Sequence, residues 1–196
     1  MKKGITLILL LFVFVSVVGS AVGTNNEYYN NSADSLGIDF SDVDILPAEK
    51  IPVTKEDAFD RYIVLAPKSI QLYYYTKRYC SEYNVPETIA FNVAKLETGY
   101  DGPMDLQYNP EQISSGNALG AYQVLLGTGR DMYEGKRHEL TRNILLKDLK
   151  LNTKLAIKYL RYLYDIYGNW TIACGFYNTG YPIINSYARA AVKYLQ

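Results

Sequence analysis

The stretch Tyr83-Asn84-Val85-Pro86-Glu87-Thr88-Ile89-Ala90-Phe91-Asn92-Val93-Ala94-Lys95-Leu96-Glu97-Thr98-Gly99-Tyr100 sets the reading of the whole chain. Val85-Pro86 breaks the chain, and proline suits the first turn of a helix. Ile89, Ala90, Val93, Ala94 and Glu97 then recur at spacings of one, three and four, which places them on one helical face. Gly99 and Gly102-Pro103 end that helix. A carboxyl on an apolar face is partly desolvated, which disfavours its ionised form and raises its pKa. A glutamate kept protonated near neutral pH is suited to general-acid work. From periodicity alone a second reading stands beside it: a helix-end glutamate paired with a lysine such as Lys95, or turned to solvent.

Working outward, the chain on both sides also reads as helix. Pro67 to Asn84 runs without a breaker, and its Tyr73-Tyr74-Tyr75 run reads as core and groove wall. A loop rich in Gly, Asn, Pro and Ser follows from Tyr100 to about Leu119. A short helix is expected over 121–132 and a long amphipathic one over 145–167. The long one carries its apolar stripe on Leu149, Ala156, Tyr159, Leu160, Leu163 and Tyr167. Gly168 suits its C-terminal cap, and Asn169 suits the N-cap of a helix over 170–178 that ends at Thr179-Gly180. Pro182 opens a last helix to about Leu195. No strand pair stands out, although a small hairpin inside 100–120 is compatible with the sequence. The expected fold class is all-α, or α+β at most.

The 196 residues suit one globular domain. Twenty basic and 20 acidic residues cancel, so a strongly basic nucleic-acid protein is not indicated. His138 is the only histidine and sits in a charged loop, while Cys80 and Cys174 cannot make a four-cysteine zinc site. No metal or cofactor is expected. The ends differ in character. Met1-Lys2-Lys3, an apolar run over 4–18 and the small residues Gly19-Ser20-Ala21 read as an export signal over 1–21 or as a retained N-terminal anchor. Either reading puts the rest outside the cytoplasmic membrane, in the periplasm or cell envelope, and only a retained segment would touch the membrane. Residues 22–60 hold nine acidic residues against two basic ones and read as an acidic, disordered linker. Residues 61–196 carry 16 basic and 11 acidic residues, a net of +5, and form the expected domain. That surplus suits an anionic wall polymer, and equally an ordinary surface.

Three later segments add to Glu97: Ser114-Ser115-Gly116-Asn117-Ala118-Leu119-Gly120-Ala121-Tyr122-Gln123, then Phe176-Tyr177-Asn178-Thr179-Gly180, then Ser186-Tyr187-Ala188-Arg189. With Lys95-Leu96-Glu97-Thr98-Gly99-Tyr100 ahead of them, their order resembles the soluble lytic transglycosylases of the lysozyme-like superfamily. That family has a helix ending in Glu-Ser-x-Phe and a loop closing on Gly-Leu-Met-Gln. A helix asparagine, an Ala-Tyr-Asn-Ala-Gly helix end and a late tyrosine follow. Asn152 and Tyr-Leu-Arg-Tyr-Leu at 159–163 fit the asparagine-bearing helix. No single motif is specific; the set in order, over about 67–196, carries the likeness.

The resemblance implies a mostly helical, lysozyme-like fold with a sugar cleft. It also implies cleavage of the β-1,4 bond between N-acetylmuramic acid and N-acetylglucosamine in peptidoglycan. Glu97 would protonate the departing oxygen and then accept the proton of the muramic acid 6-hydroxyl, leaving a 1,6-anhydro end. One carboxylate suffices for that, whereas hydrolytic glycosidases usually need two. By position, Gln123 is expected to hydrogen-bond within the cleft, Tyr122 to flank a sugar ring, Tyr177 and Asn178 to line the site, and Tyr187 to orient Glu97. All but Tyr122 have a plainer alternative: an exposed helix glutamine for Gln123, an ordinary helix end for Tyr177 and Asn178, and a core tyrosine for Tyr187. Asn152 reads as a buried structural hydrogen-bonder. Partners are the glycan strands, with envelope or secretion-apparatus proteins as further candidates and no nucleic acid.

Two departures bear on mechanism. Thr98 replaces the family's serine, and the loop after Glu97 is longer and carries Asp101, Asp105 and Glu111. Any of these could be the second acid of a goose-type lysozyme-like hydrolase. A non-catalytic glycan-binding module is a third reading. A disulfide between Cys80 and Cys174 is permitted outside the cytosol, but two buried thiols are favoured.

Overall fold

A computed structural model describes residues 60–194, and the signal or anchor segment and nearly all of the acidic linker lie outside them. Asp60, assigned to the end of the linker from the sequence, is half-buried in a helical turn over 60–63. Its carboxylate pairs with Arg78 at 2.9 Å and with Lys150. Among the described residues no helix is long and apolar enough to cross a membrane.

Seven helices follow: α1 Lys68–Tyr83, α2 Glu87–Thr98, α3 Leu126–Met132, α4 Arg142–Lys147, α5 Leu149–Tyr167, α6 Trp170–Thr179 and α7 Ser186–Ala191. No strand forms among the described residues; Leu119 makes isolated antiparallel bridges to Ile113 and Val124. The expected all-helical, lysozyme-like class is what the chain adopts.

The helix ends follow their residues. Pro67 and Pro86 precede α1 and α2, where the missing N–H costs nothing. Asn84 ends α1 in the left-handed region at φ 53°, and Gly99, Gly168 and Gly180 end α2, α5 and α6 in the same way. Asn169 Oδ1 accepts from Ile172 N, capping α6 as expected.

Three of the expected helices differ in their bounds, the last also ending at Ala191 instead of about Leu195, and at each changed start a side chain or loop satisfies the backbone differently. The expected helix over 145–167 is two helices. Asp148 ends α4 and, through Oδ1, accepts from Leu151 N at 2.9 Å to start α5. The helix expected from Ala121 begins only at Leu126, because 119–124 form a tight turn in which Leu119 and Val124 exchange backbone hydrogen bonds. The last helix starts at Ser186 rather than Pro182, since Asn185 Oδ1 accepts from Ala188 N at 2.8 Å.

α5 is the hub. It packs on α1, α3, α4 and α6, while α7 bridges α6 and α2, and α1 also meets α2. Its buried stripe of Leu149, Leu155, Ala156, Ile157, Leu160 and Leu163 meets Leu72, Tyr75 and Tyr79 of α1 in one core. Asn152 and Thr153 are buried within the stripe and hydrogen-bonded. Cys80 and Cys174 are buried free thiols, as favoured from the sequence.

One close approach fixes the end of the domain. A Cβ added to Gly175 of α6 would lie 1.7 Å from the carbonyl oxygen of Ile183, and Ala188 of α7 is also in contact range. Only glycine lets the 181–185 loop cross α6 at this distance. Gly175→Ala is therefore expected to destabilise the domain by about 3 kcal/mol, as overpacking does. Urea unfolding would show a lower midpoint at an unchanged m-value.

Candidate active site

Glu97 stands in the last turn of α2, one turn beyond Val93 on the face that buries Ile89, Ala90, Val93 and Ala94. Its side chain is half-buried. Burial holds its carboxyl above the ordinary range, and a hydrogen bond from Tyr187 offsets part of that rise. Tyr187 donates to Glu97 Oε1 at 2.5 Å, the short contact of a charge-assisted bond. Lys95, the alternative partner, instead donates to Asp101 at 2.6 Å. The reading of Glu97 as a helix-end ion pair with Lys95 does not hold.

Tyr187 reaches Glu97 from α7, whose first turn Asn185 caps. The amide of Asn185 also donates to Asn178 Oδ1 at 3.2 Å, joining the end of α6 to the start of α7. Burial first, and the Glu97 carboxylate next, push the Tyr187 hydroxyl far above the ordinary phenol range. The same two causes, in the same order, act on Tyr177. Both phenols are therefore neutral at any working pH. The two phenols beside Glu97 are thus neutral, and no charged group contributes to its shift.

The floor of the site is the turn Gly120-Ala121-Tyr122-Gln123. Tyr177 donates its hydroxyl to Tyr122 O at 2.7 Å. Thr98 Oγ1 lies 2.8 Å from Ala121 O and 2.7 Å from Tyr108 Oη. A threonine has one hydroxyl proton, and Thr98 spends it on a carbonyl, Ala121 O or Ala94 O at 3.1 Å, which leaves Tyr108 to donate to Thr98. Asn152 holds the same turn from below, accepting from Tyr122 N at 3.2 Å and donating to Leu119 O at 2.9 Å.

The expected site residues divide accordingly. Glu97, Tyr187 and Tyr177 come together. Asn178 is exposed at the rim. Gln123 is in a turn at φ 48° rather than in a helix, and its amide donates to Gly120 O at 2.9 Å and to Gln112 O at 3.1 Å. Tyr122 is a correction. Its side chain has 0% exposure and its hydroxyl lies 2.8 Å from Thr76 Oγ1, so no sugar ring can reach it. It supports the site from the core. Thr98, Tyr108, Gln112 and Asn185 belong to the site's scaffold but were not singled out for a role by the sequence reading. Gln112 ties the loop to α2 by donating to Thr98 O at 3.1 Å. Only the Thr98 position carried a signal, as the replacement of a serine. Among the described residues no group of three His, Cys, Asp or Glu converges to hold a metal.

Residues 75–194 match the family model of the transglycosylase SLT domain. The chain belongs to this family. Neither a curated protein nor a solved structure matches it. The matched span of the SLT domain runs from the middle of α1 to beyond α7 and takes in every site residue above. Membership implies a transglycosylase that acts on peptidoglycan.

The raised carboxyl makes stability depend on pH. In the unfolded chain a glutamate ionises near ~4.3. Below that pH Glu97 is protonated in both states and its contribution to stability is fully present. The contribution is lost as pH rises through the higher folded-state pKa. Glu97→Gln in the SLT domain does not titrate, and its amide oxygen can still accept from Tyr187. The variant is expected to melt above the parent at pH 7, with the gap closing below about pH 4; thermal melts across that range check it.

Proposed function

We propose that this SLT domain cleaves the β-1,4 bond between N-acetylmuramic acid and N-acetylglucosamine without water, leaving 1,6-anhydromuramic ends. The observation that carries this reading is the isolation of Glu97: a half-buried carboxyl with a raised pKa and no charged partner. A carboxyl held above its ordinary range is protonated more often than a free glutamate, and it gives that proton to the glycosidic oxygen as the bond to C1 breaks. Tyr187 engages Oε1, so the travelling proton sits on Oε2. The carboxylate left behind, steadied by Tyr187, takes the proton of the muramic acid 6-hydroxyl as that oxygen closes on C1. Atoms balance without water, and Glu97 ends protonated.

The three acidic residues considered for a hydrolase lend no support to that alternative. Asp101 is an exposed carboxylate that its Lys95 hydrogen bond holds below the ordinary range. Glu111 is exposed on the loop, and the charge of Asp105 bears on Tyr108 and Tyr100. A second acid for water activation needs to stand across the scissile bond from the first, within about 10 Å. The binding-module reading is disfavoured because a desolvated acid is costly to keep for adhesion alone. The setting proposed is the periplasm or cell envelope, on the strength of residues 1–21, with the acidic stretch up to residue 59 as the tether and the chain from Asp60 onward as the enzyme.

Digestion of purified peptidoglycan by the chain, read by mass spectrometry, tests the reaction. Products one water lighter than reducing ends, absent with Glu97→Gln, are expected; reducing ends would mean a hydrolase. Tyr187→Phe tests the partner. Loss of its hydrogen bond raises the Glu97 pKa further, so the alkaline limb of the pH–rate profile should move to higher pH. The rate at the optimum should fall about tenfold, the scale of a hydrogen bond to a charged group. An unmoved limb would reduce Tyr187 to a packing role.

A further inference from the structure

A second concave surface lies on α2 away from Glu97. Phe91, Asn92 and Lys95 project about 120–160° around the helix from the catalytic carboxyl. With Tyr73 of α1 and the turn at 100–103 they enclose a groove of about 270 Å³. Its floor is a row of rings. Tyr73 and Phe91 stack at 5.5 Å between centroids, 18° from parallel, and Phe91 and Tyr100 stack at 6.2 Å and 22°. Tyr73 and Phe91 are half-buried, so part of each ring is open to solvent, while Tyr100 is buried beneath and donates its hydroxyl to Ser69 O at 3.0 Å.

The rim is polar and electrically balanced. Lys95 is paired with Asp101 at 2.6 Å, and both are exposed. Lys77 sits over the Tyr73 ring at 5.6 Å and pairs with Glu87 at 3.5 Å. Each cation beside the rings thus has its own carboxylate, so the groove attracts neither anions nor cations strongly. The rings stack on one another and Lys77 lies over Tyr73, so what they offer is a strip of ring edge and half-open face, which suits the small apolar C–H face of a ring-shaped ligand. Lys95 as donor and Asp101 as acceptor, side by side, suit the hydroxyls around the edge of that face. A sugar ring has this shape and this division of character. Charge balance selects an uncharged ring, N-acetylglucosamine, over the lactyl-bearing muramic acid.

We propose that this groove is a second saccharide site, which holds an N-acetylglucosamine ring of the glycan strand outside the catalytic cleft. The choice of ligand rests on the peptidoglycan reading above; the groove itself does not. A polymer held at two places keeps its next bond at a high effective concentration near Glu97. The site therefore acts on retention on the insoluble wall rather than on the bond-breaking step.

Hydroxyl-radical footprinting of the full chain carrying Glu97→Gln, with soluble peptide-free glycan strands as probe, tests this. Protection of Tyr73 and Phe91 together with Tyr177 and Tyr187 is expected. Retention on insoluble peptidoglycan should fall about fivefold in Tyr73→Ala, the scale of one aromatic contact, and be restored in Tyr73→Trp. Protection confined to Tyr177 and Tyr187 would overturn the second site and leave the catalytic reading intact. Protection of neither pair would remove both. The footprint needs no change in the groove, so it decides the matter even if Tyr73→Ala fails to fold.

Discussion

Two neighbours of Glu97, Thr98 and Tyr177, are referenced to one buried asparagine. Asn152 uses its whole amide on backbone: Oδ1 accepts from Tyr122 N, and Nδ2 donates to both Leu119 O and Leu145 O. These bonds set the turn at 120–123 against α5. The turn in turn needs Gly120, whose φ of 78° is left-handed and whose missing Cβ would sit 2.4 Å from Asn152 Nδ2. Buried amides that are fully bonded rigidify their surroundings, and leaving one partner unmet costs about 1–3 kcal/mol. The carbonyls of Ala121 and Tyr122 are then presented at fixed places, one to Thr98 beside Glu97 and one to Tyr177. The acid and its neighbouring phenol are thus measured from the same anchor.

That arrangement explains how an SLT domain can raise a carboxyl pKa without placing a second acid against it. Two levers act in opposite directions on Glu97, desolvation upward and the Tyr187 hydroxyl downward, and desolvation is the larger. The lowering partner is neutral because it is itself buried beside a carboxylate. A cation in its place would have pulled the carboxyl toward permanent ionisation and ended its use as an acid. The one lysine within reach in the sequence, Lys95, is carried to the opposite side of α2 by the helical repeat and neutralised there by Asp101.

Most of this fold is legible in local sequence because local rules decide it. The face of Ile89, Ala90, Val93 and Ala94, the Gly168 and Asn169 caps, and the position of Glu97 need only periodicity and cap chemistry. The pairing of Tyr187 with Glu97 spans 90 residues, and only the family's order of motifs pointed to it. What stayed hidden depends on partners far away in the chain. Asp148 could have continued a helix on propensity alone, but its side chain starts α5 instead. Ala121 to Gln123 suits a helix until Asn152 and Thr98 claim its backbone. Tyr122 looks like a sugar platform until Thr76 is found at its hydroxyl, inside the core. A tyrosine's role is set by which end is wet, and no spacing along a chain reports that.

The two cysteines carry a consequence of a different kind. Burial pushes the thiols of Cys80 and Cys174 up to about 12. At neutral pH both therefore stay in the unreactive thiol form. The described domain contains no covalent staple, so its assembly requires no oxidant and no exchange partner to correct mispaired bonds. Such a fold reaches the same end state in a reducing or an oxidising compartment, and its integrity rests on packing, hydrogen bonds and ion pairs rather than on a covalent bond.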